Sequence, residues 1–430
     1  MKYRIQESSF LGAPIDPQKH YTIIGAGIAG LYVGYFLKKA GVSFEIHEIT
    51  DRAGGLLDSH DTEFGRVEQA ANGFIWCPEL AEICQTLDLE ITGPKPSAKA
   101  RYLLRKNTLR RFPLSPVETI QFVSKILSRQ KGTVRTLEDF GLQHLGEKAT
   151  RQILEPAFAG IYGADIKQLS FPGTIAGLAE GLNKHDRLIG AIRYFRQQRK
   201  AKSTGKSPRG THGFAHGIGQ LPKQLAVFLD THIHYGSDGL KLDRTDRSLI
   251  LCTPAHVSAR YAEGSLSELL KKVFYTPILS VTAHVKRSDC PGFKPGFGCL
   301  IPRSEGYTSL GVLFNSSIFP NRSRSEEILS LTFILRADEQ APDLLERSDA
   351  AIQELVQSEL GRLFGFQGTI LQIRCFRWPQ GIPLYSPALY EQLPEMDRLA
   401  RMQGLNLFGN YTGQISIRGM SQTAARLLDH

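Results

Sequence analysis

Tyr21 to Gly30 reads YTIIGAGIAG, with a helix-like run from Leu31 to Ala40 behind it and SFEIHE from Ser43 to Glu48 after that. The β-branched and aromatic residues Tyr21 to Ile24 suit a buried strand. Gly25, Gly27 and Gly30 keep the GxGxxG spacing at which such a strand turns into a helix. This is a phosphate cradle: Gly25 permits the tight turn, Gly27 lets backbone N–H groups approach a pyrophosphate, and Gly30 lets helix pack on strand. Ala26, Ile28 and Ala29 fill the positions between, where the helix N-terminus adds partial positive charge. Glu48 ends the next strand about 20 residues on, from where a carboxylate takes the hydroxyls of an adenosine ribose. A glycine triplet alone says little. Strand, glycines, helix, second strand and terminal acid in register predict a Rossmann-type dinucleotide-binding unit.

Glu48 to Ser59 continues as EITDRAGGLLDS. This stretch resembles the E-x-x-x-R-x-G-G signature that follows the Rossmann unit in flavin-dependent amine oxidases and their relatives. The resemblance implies FAD rather than NAD, and it carries the cofactor site on through Ile49, Arg52, Gly54, Gly55 and Leu56.

At 430 residues and 41% hydrophobic, the chain has material for a sizeable core and for two or three domains. Cys77, Cys84, Cys252, Cys290, Cys299 and Cys375 form no CxxC pair, which favours reduced thiols in a cytoplasmic setting over disulfides or zinc, and no metal site is visible. The first 20 residues are polar and carry prolines, unlike a signal peptide. Tyr21 to Leu37 is uncharged but broken by glycines and short for a span, so no transmembrane helix is read. The net charge of +10 is uneven: Lys99 to Arg135 holds ten Lys or Arg against Glu118 alone, and Arg187 to Arg209 adds eight more with no acid. Such runs fit a solvated face, anionic lipid headgroups or an acidic substrate. Nucleic acid is disfavoured, because no reading module accompanies the charge. Gln197 to Arg209, without apolar period, reads as a disordered basic loop.

Along the chain, Gly65 to Phe74 reads as an edge strand and Arg101 to Pro113 as a hairpin. Ser115, Pro116 and Glu118 make a helix start with a capping box. Val117, Ile120, Val123 and Leu127 recur behind it at helical spacing, a stripe read as domain core in preference to a membrane-surface helix. Helical patterns run from Thr136 to Phe158 and from Thr174 to Phe195. From Tyr275 to Ile334 strands and turns dominate, and Ser325 to Ile334 suits either a strand or a helix. Ala350 to Phe364 reads as a helix, and Asn406 to Gly409 as a short strand leading to a C-terminal helix.

Five further stretches are LEPAFAGIYGADIKQLS (Leu154 to Ser170), GFAHGIGQLP (Gly213 to Pro222), GFGCLIPRSEGYTSLGVLFNSSIFPNR (Gly296 to Arg322), WPQGIPLY (Trp378 to Tyr385) and GNYTGQISIRGM (Gly409 to Met420). With the N-terminal signature, and in order over most of the chain, they resemble protoporphyrinogen oxidases. These are FAD enzymes of haem synthesis, and they include a bacterial branch that oxidises coproporphyrinogen. The resemblance implies that Arg101 pairs with a propionate, that Leu300, Leu313 and Phe333 sandwich the flat macrocycle, and that a glycine-rich loop at Gly160 lies over the ring system. Read alone, the three apolar residues are packing residues and Arg101 is a surface arginine. Gly409 lets backbone pass close to a flavin with Asn410 beside it, and Gly419 with Met420 opens the last helix toward the flavin O2 edge. The chain departs from the family in GIYGAD, where relatives have G-V-Y-A-G-D, and at Glu68-Gln69-Ala70-Ala71, where they have E-x-G-P.

The expected fold class is α/β, a Rossmann-type FAD-binding domain with a mixed-sheet substrate domain and a helical insertion. FAD-binding segments are expected at 1–75, 209–262 and 401–430, the helical insertion with part of the pocket at 76–208, and the mixed-sheet substrate domain at 263–400. The activity implied is dehydrogenation of protoporphyrinogen IX or coproporphyrinogen III, by hydride transfer to flavin N5 and reoxidation by oxygen or another acceptor. No side chain is assigned as catalytic base. The alternatives are an amine oxidase or desaturase on the same scaffold, and a non-catalytic flavin- or porphyrin-binding protein. A membrane surface is a second candidate partner, on the cytoplasmic side, and a homodimer is one option for the assembly.

Overall fold

The glycine-rich unit folds as its spacing predicts. In the computed structural model, which describes residues 3–5, 10–129, 132–201, 208, 210–238, 248–339 and 341–428, β1 (Tyr21–Ile24) leads into the helix Ile28–Lys39 and β2 (Phe44–His47) follows. Next come β3 (Ser59–Asp61), β4 (Arg66–Glu68), β5 (Phe74–Ile75), β6 (Ile91–Thr92), β7 (Arg101–Arg105) and β8 (Thr108–Arg110). After a helical stretch the chain returns in β9 (Thr211–Phe214), β10 (Ile233–His234) and β11 (Ser248–Leu251). It then builds β12 (Tyr275–Lys286), β13 (Gly298–Leu300), β14 (Ser309–Leu313), β15 (Ile328–Arg336) and β16 (Gln372–Pro383), and ends with β17 (Leu405–Leu407) and the helix Ile417–Ala425.

Two large sheets result. The first is parallel, in the order β10-β2-β1-β11-β17. One face packs the helices Ile28–Lys39, Gln220–Leu229 and Ile417–Ala425 around Ile23, Ile46, Leu225 and Met420. The other packs the helices Gly264–Lys271 and Pro387–Met402 around Ile24, Leu251 and Met396. Both faces are therefore apolar, as a sheet covered on two sides requires. The second sheet runs β16-β12-β15-β14-β13-β7-β8 and is antiparallel except for the β13–β7 pair. Val281, Leu331, Phe333 and Val312 point from one of its faces onto Val356 and Leu360 of the helix Asp349–Phe364. Its other face looks toward the nucleotide unit. Ser325 to Ile334, open between strand and helix in sequence, thus forms most of a central strand. The Arg101 hairpin forms as expected, and it extends this sheet.

The insertion departs from its sequence reading in four ways. The Thr136 to Phe158 pattern is interrupted at Gly146, which takes φ +83°, and passes through a π-turn at Thr150–Leu154 into the helix Glu155–Tyr162. The Thr174 to Phe195 pattern breaks at an extended His185 into helices Ala176–Lys184 and Leu188–Ala201. Of the basic stretch read as a disordered loop, Gln197 to Ala201 continues a helix, while residues 202–207 and 209 lie outside the described ones.

The fourth departure concerns the helix Pro116–Leu127, which buries none of its residues. Val117 is 65%, Ile120 71%, Val123 45% and Leu127 52% exposed, so the stripe read as core faces outward. The opposite side of the helix is the one that packs, with Ile126 against the core of the insertion. Glu118 closes the predicted capping box with Ser115 and also takes a two-pronged ion pair from Arg105 at 2.8 and 2.9 Å. That guanidinium, with the Ser115 amide, holds the Glu118 carboxyl down to about 2.

Candidate active site

At the N-terminus of the helix Ile28–Lys39, Gly25 takes φ +99°, a turn that L side chains rarely adopt. A Cβ on Gly30 would stand 2.0 Å from the Gly25 carbonyl oxygen, so helix and strand touch there. Over Gly27 the situation is reversed: an added Cβ would meet nothing within 4 Å. Gly27 is the N-cap of the helix and has no side-chain cap, which leaves the first N–H groups facing open space. A second glycine loop closes the other side. Gly54 N–H donates to the Ala26 carbonyl at 2.8 Å, and Gly55 lies against Gly27.

Glu48 is fixed at the rim of this cradle. One carboxylate oxygen accepts the Ala26 N–H at 2.8 Å, and the other accepts the Thr50 N–H at 3.0 Å and hydroxyl at 2.8 Å. Arg52 turns back onto its own loop and donates to the Gly55 carbonyl at 2.9 Å, so it shapes the glycine loop. Ile49 and Leu56, at 65% and 37% exposed, border the cradle with apolar surface. An anion-ready helix end, a carboxylate at the strand tip, and glycines where a side chain would obstruct fit the pyrophosphate and ribose of FAD.

The C-terminal segment reaches the same site. Phe408 N–H donates to the Leu251 carbonyl, which sets Gly409 and Asn410 at the end of the parallel sheet. A Cβ on Gly409 would come 2.9 Å from the Tyr411 ring and 3.2 Å from the Thr253 carbonyl. The last helix starts at Ile417, two residues ahead of the Gly419 opening read from sequence. Ser416 caps it by accepting the Gly419 N–H at 3.0 Å, and the Met420 N–H is taken by the Ser416 carbonyl at 2.9 Å. The amides open at this helix end are consequently those of Ile417 and Arg418. Gly419 lies against the Gln414 side chain and the Ser416 hydroxyl, where an added Cβ would come 2.0 Å from Gln414 Oε1 and displace that side chain.

Three tyrosines that the sequence reading assigned no role border this segment. Tyr385 donates its hydroxyl to the Asn410 carbonyl and accepts the Gly413 N–H at 3.2 Å. The Tyr162 ring packs edge-on to Tyr385 at 5.7 Å, and the Tyr275 hydroxyl points to Asn410 Oδ1 at 3.4 Å. Burial raises all three phenols, Tyr162 to about 12, so each stays a neutral hydroxyl. The only sequence sign of them was their place in the GIYGAD and WPQGIPLY stretches and at the head of β12.

Strand register decides which predicted pocket residues meet. One row across the second sheet reads Arg101, Gly298, Leu313, Thr332, Thr282, and the next reads Leu103, Leu300, Gly311, Ile334, Ser280. Side chains alternate between faces, so both rows look away from the core beneath the helix Asp349–Phe364. Leu300 and Leu313 are half-buried there. Gly160 meets Leu300 across the gap: its added Cβ would be 3.0 Å from Leu300 Cδ2. Gly160 lies within the helix Glu155–Tyr162, not in a loop, and the glycine turn comes at Gly163 with φ +61°. Arg101 stands exposed at the row's edge, 4.3 Å over the Phe297 ring, and among the described residues it forms no ion pair.

Phe333 does not join this group. It is 0% exposed and sits among Val281, Val312 and Leu331 on the opposite face. Its neighbour Ile334, half-buried and paired with Gly311, occupies the position beside Leu300. In a strand, one residue of offset exchanges the faces. A register shift between Ser309 and Gly311 hides that offset from any reading of the pattern alone. Toward the far end of β12 the same face turns polar. His284 is fully buried there, and burial pushes its imidazole down to about 4, leaving it neutral at neutral pH.

Comparison with known proteins agrees with this geometry. The family described as flavin containing amine oxidoreductase matches residues 28–415. Protoporphyrinogen oxidase 2, chloroplastic/mitochondrial, of Arabidopsis thaliana is 25% identical, with 93% of this chain and 91% of that protein covered. Coproporphyrinogen III oxidase of Bacillus subtilis (strain 168) is 23% identical, with 89% and 90% covered. Among solved structures, a candidate protoporphyrinogen oxidase from Exiguobacterium sp. 255-15 superposes with a TM-score of 0.78 at 16% identity, covering 96% of this chain and 98% of that one. Open cradle, strand-tip carboxylate and family match point the same way: this chain is an FAD-dependent oxidoreductase and belongs to the flavin containing amine oxidoreductase family.

Proposed function

We propose that this enzyme dehydrogenates a porphyrinogen, protoporphyrinogen IX or coproporphyrinogen III, to the porphyrin. The observation that carries the reading is the apolar strip Leu300, Leu313 and Ile334, faced by the Gly160 helix and edged by Arg101. A flat macrocycle with acidic side chains needs such a slot and such a cation. The names borne by the relatives support the same substrate class. FAD, when bound, supplies the hydride acceptor, and oxygen is the reoxidant we assign.

The protein's share is binding and orientation. Arg101 takes a propionate at the rim, where its guanidinium forms two parallel hydrogen bonds. Leu300, Leu313 and Ile334 hold one face of the ring and exclude water, and Gly160, whose missing side chain lets its helix close onto Leu300, bounds that end of the strip. The neutral Tyr162 and Tyr385 hold the C-terminal turn in place and add no charge to the site.

Anaerobic mixing tests the reading: either porphyrinogen bleaches the flavin absorbance, and bleaching by neither rejects it. Arg101→Ala is expected to raise KM about 10- to 100-fold with kcat nearly unchanged, since a hydrogen bond to a charged group is worth about 1.5–3 kcal/mol. If an amine panel releases peroxide instead, the amine oxidase alternative holds. If tight porphyrin binding occurs without flavin reduction, the non-catalytic alternative holds.

One observation favours a membrane setting. Among the described residues no helix is long and apolar enough to cross a membrane. The exposed stripe Val117, Ile120, Val123, Leu127 adjoins Phe112, itself 50% exposed, and the exposed cations Arg110, Arg111, Lys125 and Arg129. We assign this face to an anionic lipid surface, with the apolar stripe entering the headgroup layer. In co-sedimentation with phosphatidylglycerol vesicles, the double variant Ile120→Glu, Val123→Glu is expected to lose at least about 10-fold in partitioning. Equal partitioning would remove the stripe from the contact.

A further inference from the structure

β2 and β10 are remote in sequence but adjacent in the parallel sheet, with His234 paired to His47. Glu45 and His47 point to the same face of β2, opposite to Phe44 and Ile46, which enter the core under the Ile28–Lys39 helix. His234 shares that face. His47 Nε2 lies 3.2 Å from Glu45 Oε1, and His234 Nε2 lies 3.7 Å from Glu45 Oε2. One ligand atom from each of the three residues falls within 4.8 Å of the other two. Two donors bound tetrahedrally to zinc at about 2.0–2.1 Å are about 3.3 Å apart, so the two carboxylate–imidazole separations already suit a shared ion, while the imidazoles, stacked at 4.9 Å between ring centroids, turn toward it on binding.

Outer contacts orient the donors. His47 Nδ1 is hydrogen-bonded to Ser237 Oγ at 2.7 Å, which directs Nε2 toward Glu45. The Thr22 hydroxyl donates to Glu45 Oε1 at 3.2 Å. Partners of this kind fix ring orientation in zinc sites. The His47 side chain is 7%, Glu45 20% and His234 49% exposed, a buried floor with one side open to water. His20 Nε2 stands at the rim, 4.0 Å from Glu45 Oε1. Two imidazoles and a carboxylate select a borderline transition ion over Mg²⁺ or Ca²⁺.

We propose that Glu45, His47 and His234 form a binding site for a divalent transition ion of the zinc type, with water completing its coordination. The site would pin β10 to β2 next to the cofactor. The His234 carbonyl already accepts the N–H of Glu48, the ribose carboxylate, at 3.0 Å. This inference does not depend on the porphyrinogen reading.

The test is calorimetric titration of Zn²⁺ into the metal-stripped full-length flavoprotein, with X-ray absorption on the loaded sample. Expected are one Zn²⁺ per chain at micromolar affinity or tighter, a coordination shell containing two imidazoles, and at least 10-fold weakening in both Glu45→Gln and His234→Gln. His234 is half-exposed, so its substitution leaves the metal-free fold intact, which circular dichroism checks. Absence of stoichiometric uptake, or uptake in either variant as tight as in the unsubstituted chain, overturns the proposal and leaves a carboxylate–histidine charge cluster.

Discussion

A Gly30→Val chain is expected to purify without flavin and with at least about 100-fold weaker FAD uptake on reconstitution. The Cβ alone would stand 2.0 Å from the Gly25 carbonyl oxygen and 3.3 Å from Cys252 Cβ, and the first of these neighbours is backbone. Backbone cannot rotate away. The helix Ile28–Lys39 must therefore lift from β1, and it carries with it the amides that face the pyrophosphate. Gly27→Ala separates cofactor loss from misfolding. Nothing lies within 4 Å of its added methyl, so this variant keeps its fold while the methyl projects into the cradle and weakens FAD binding. Flavin absorbance per chain reads the first effect and circular dichroism the second. A Gly27→Ala protein with undiminished FAD affinity would move the pyrophosphate away from Gly27.

The second large effect is on stability. Glu68 on β4 and Arg322, 254 residues later in the chain, form an ion pair with both side chains nearly sealed, at 1% and 4% exposed. Ile218 N–H at 3.0 Å and the Ser59 hydroxyl at 2.5 Å complete the Glu68 carboxylate, and Arg322 also donates to the Asn72 carbonyl at 3.3 Å and lies over the Phe319 ring at 5.2 Å. Arg322→Met leaves a carboxylate in the interior with its counter-ion gone, which costs about 3–5 kcal/mol. The double variant Glu68→Gln, Arg322→Met is expected to recover most of that loss, because the buried charge is then absent as well. Denaturant midpoints of the single and double variants check this. A single-variant loss below about 1 kcal/mol would mean that water reaches the pair. The pair joins the nucleotide unit to the segment between β14 and β15, so its loss is also expected to loosen the two sheets against each other.

The nucleotide half was readable because each of its signals is local. Gly25, Gly27, Gly30 and Glu48 act on neighbours within one strand–helix–strand unit, and steric limits on turns and helix ends set their spacing whatever the rest of the chain does. The same holds for the Ser115 capping box, where the structure shows both reciprocal bonds. The proposed pocket rests on resemblance alone. Arg101, Leu300 and Leu313 share rows across strands that are remote in sequence.

Where the reading went astray, the missing quantity was a pairing or an orientation. Phe333 and Ile334 are equally apolar, and only the register against Val281 and Gly311 sends one to the core and the other to the opposite face. Val117 to Leu127 has the period of a core helix, yet the side carrying Ile126 and the Glu118–Arg105 pair faces the protein and the stripe faces outward. Glu45, His47 and His234 carry no ligand spacing along the chain, and Glu68 and Arg322 no charge pattern. What this sequence determined by itself was the set of local conformations and the open, dinucleotide-type turn they make, since these follow from backbone sterics over a few residues. Which face each strand presents, which helix stays bare, and which remote ionisable groups meet were settled only when the two sheets formed. Those outcomes depend on contacts between segments whose separation no local period encodes.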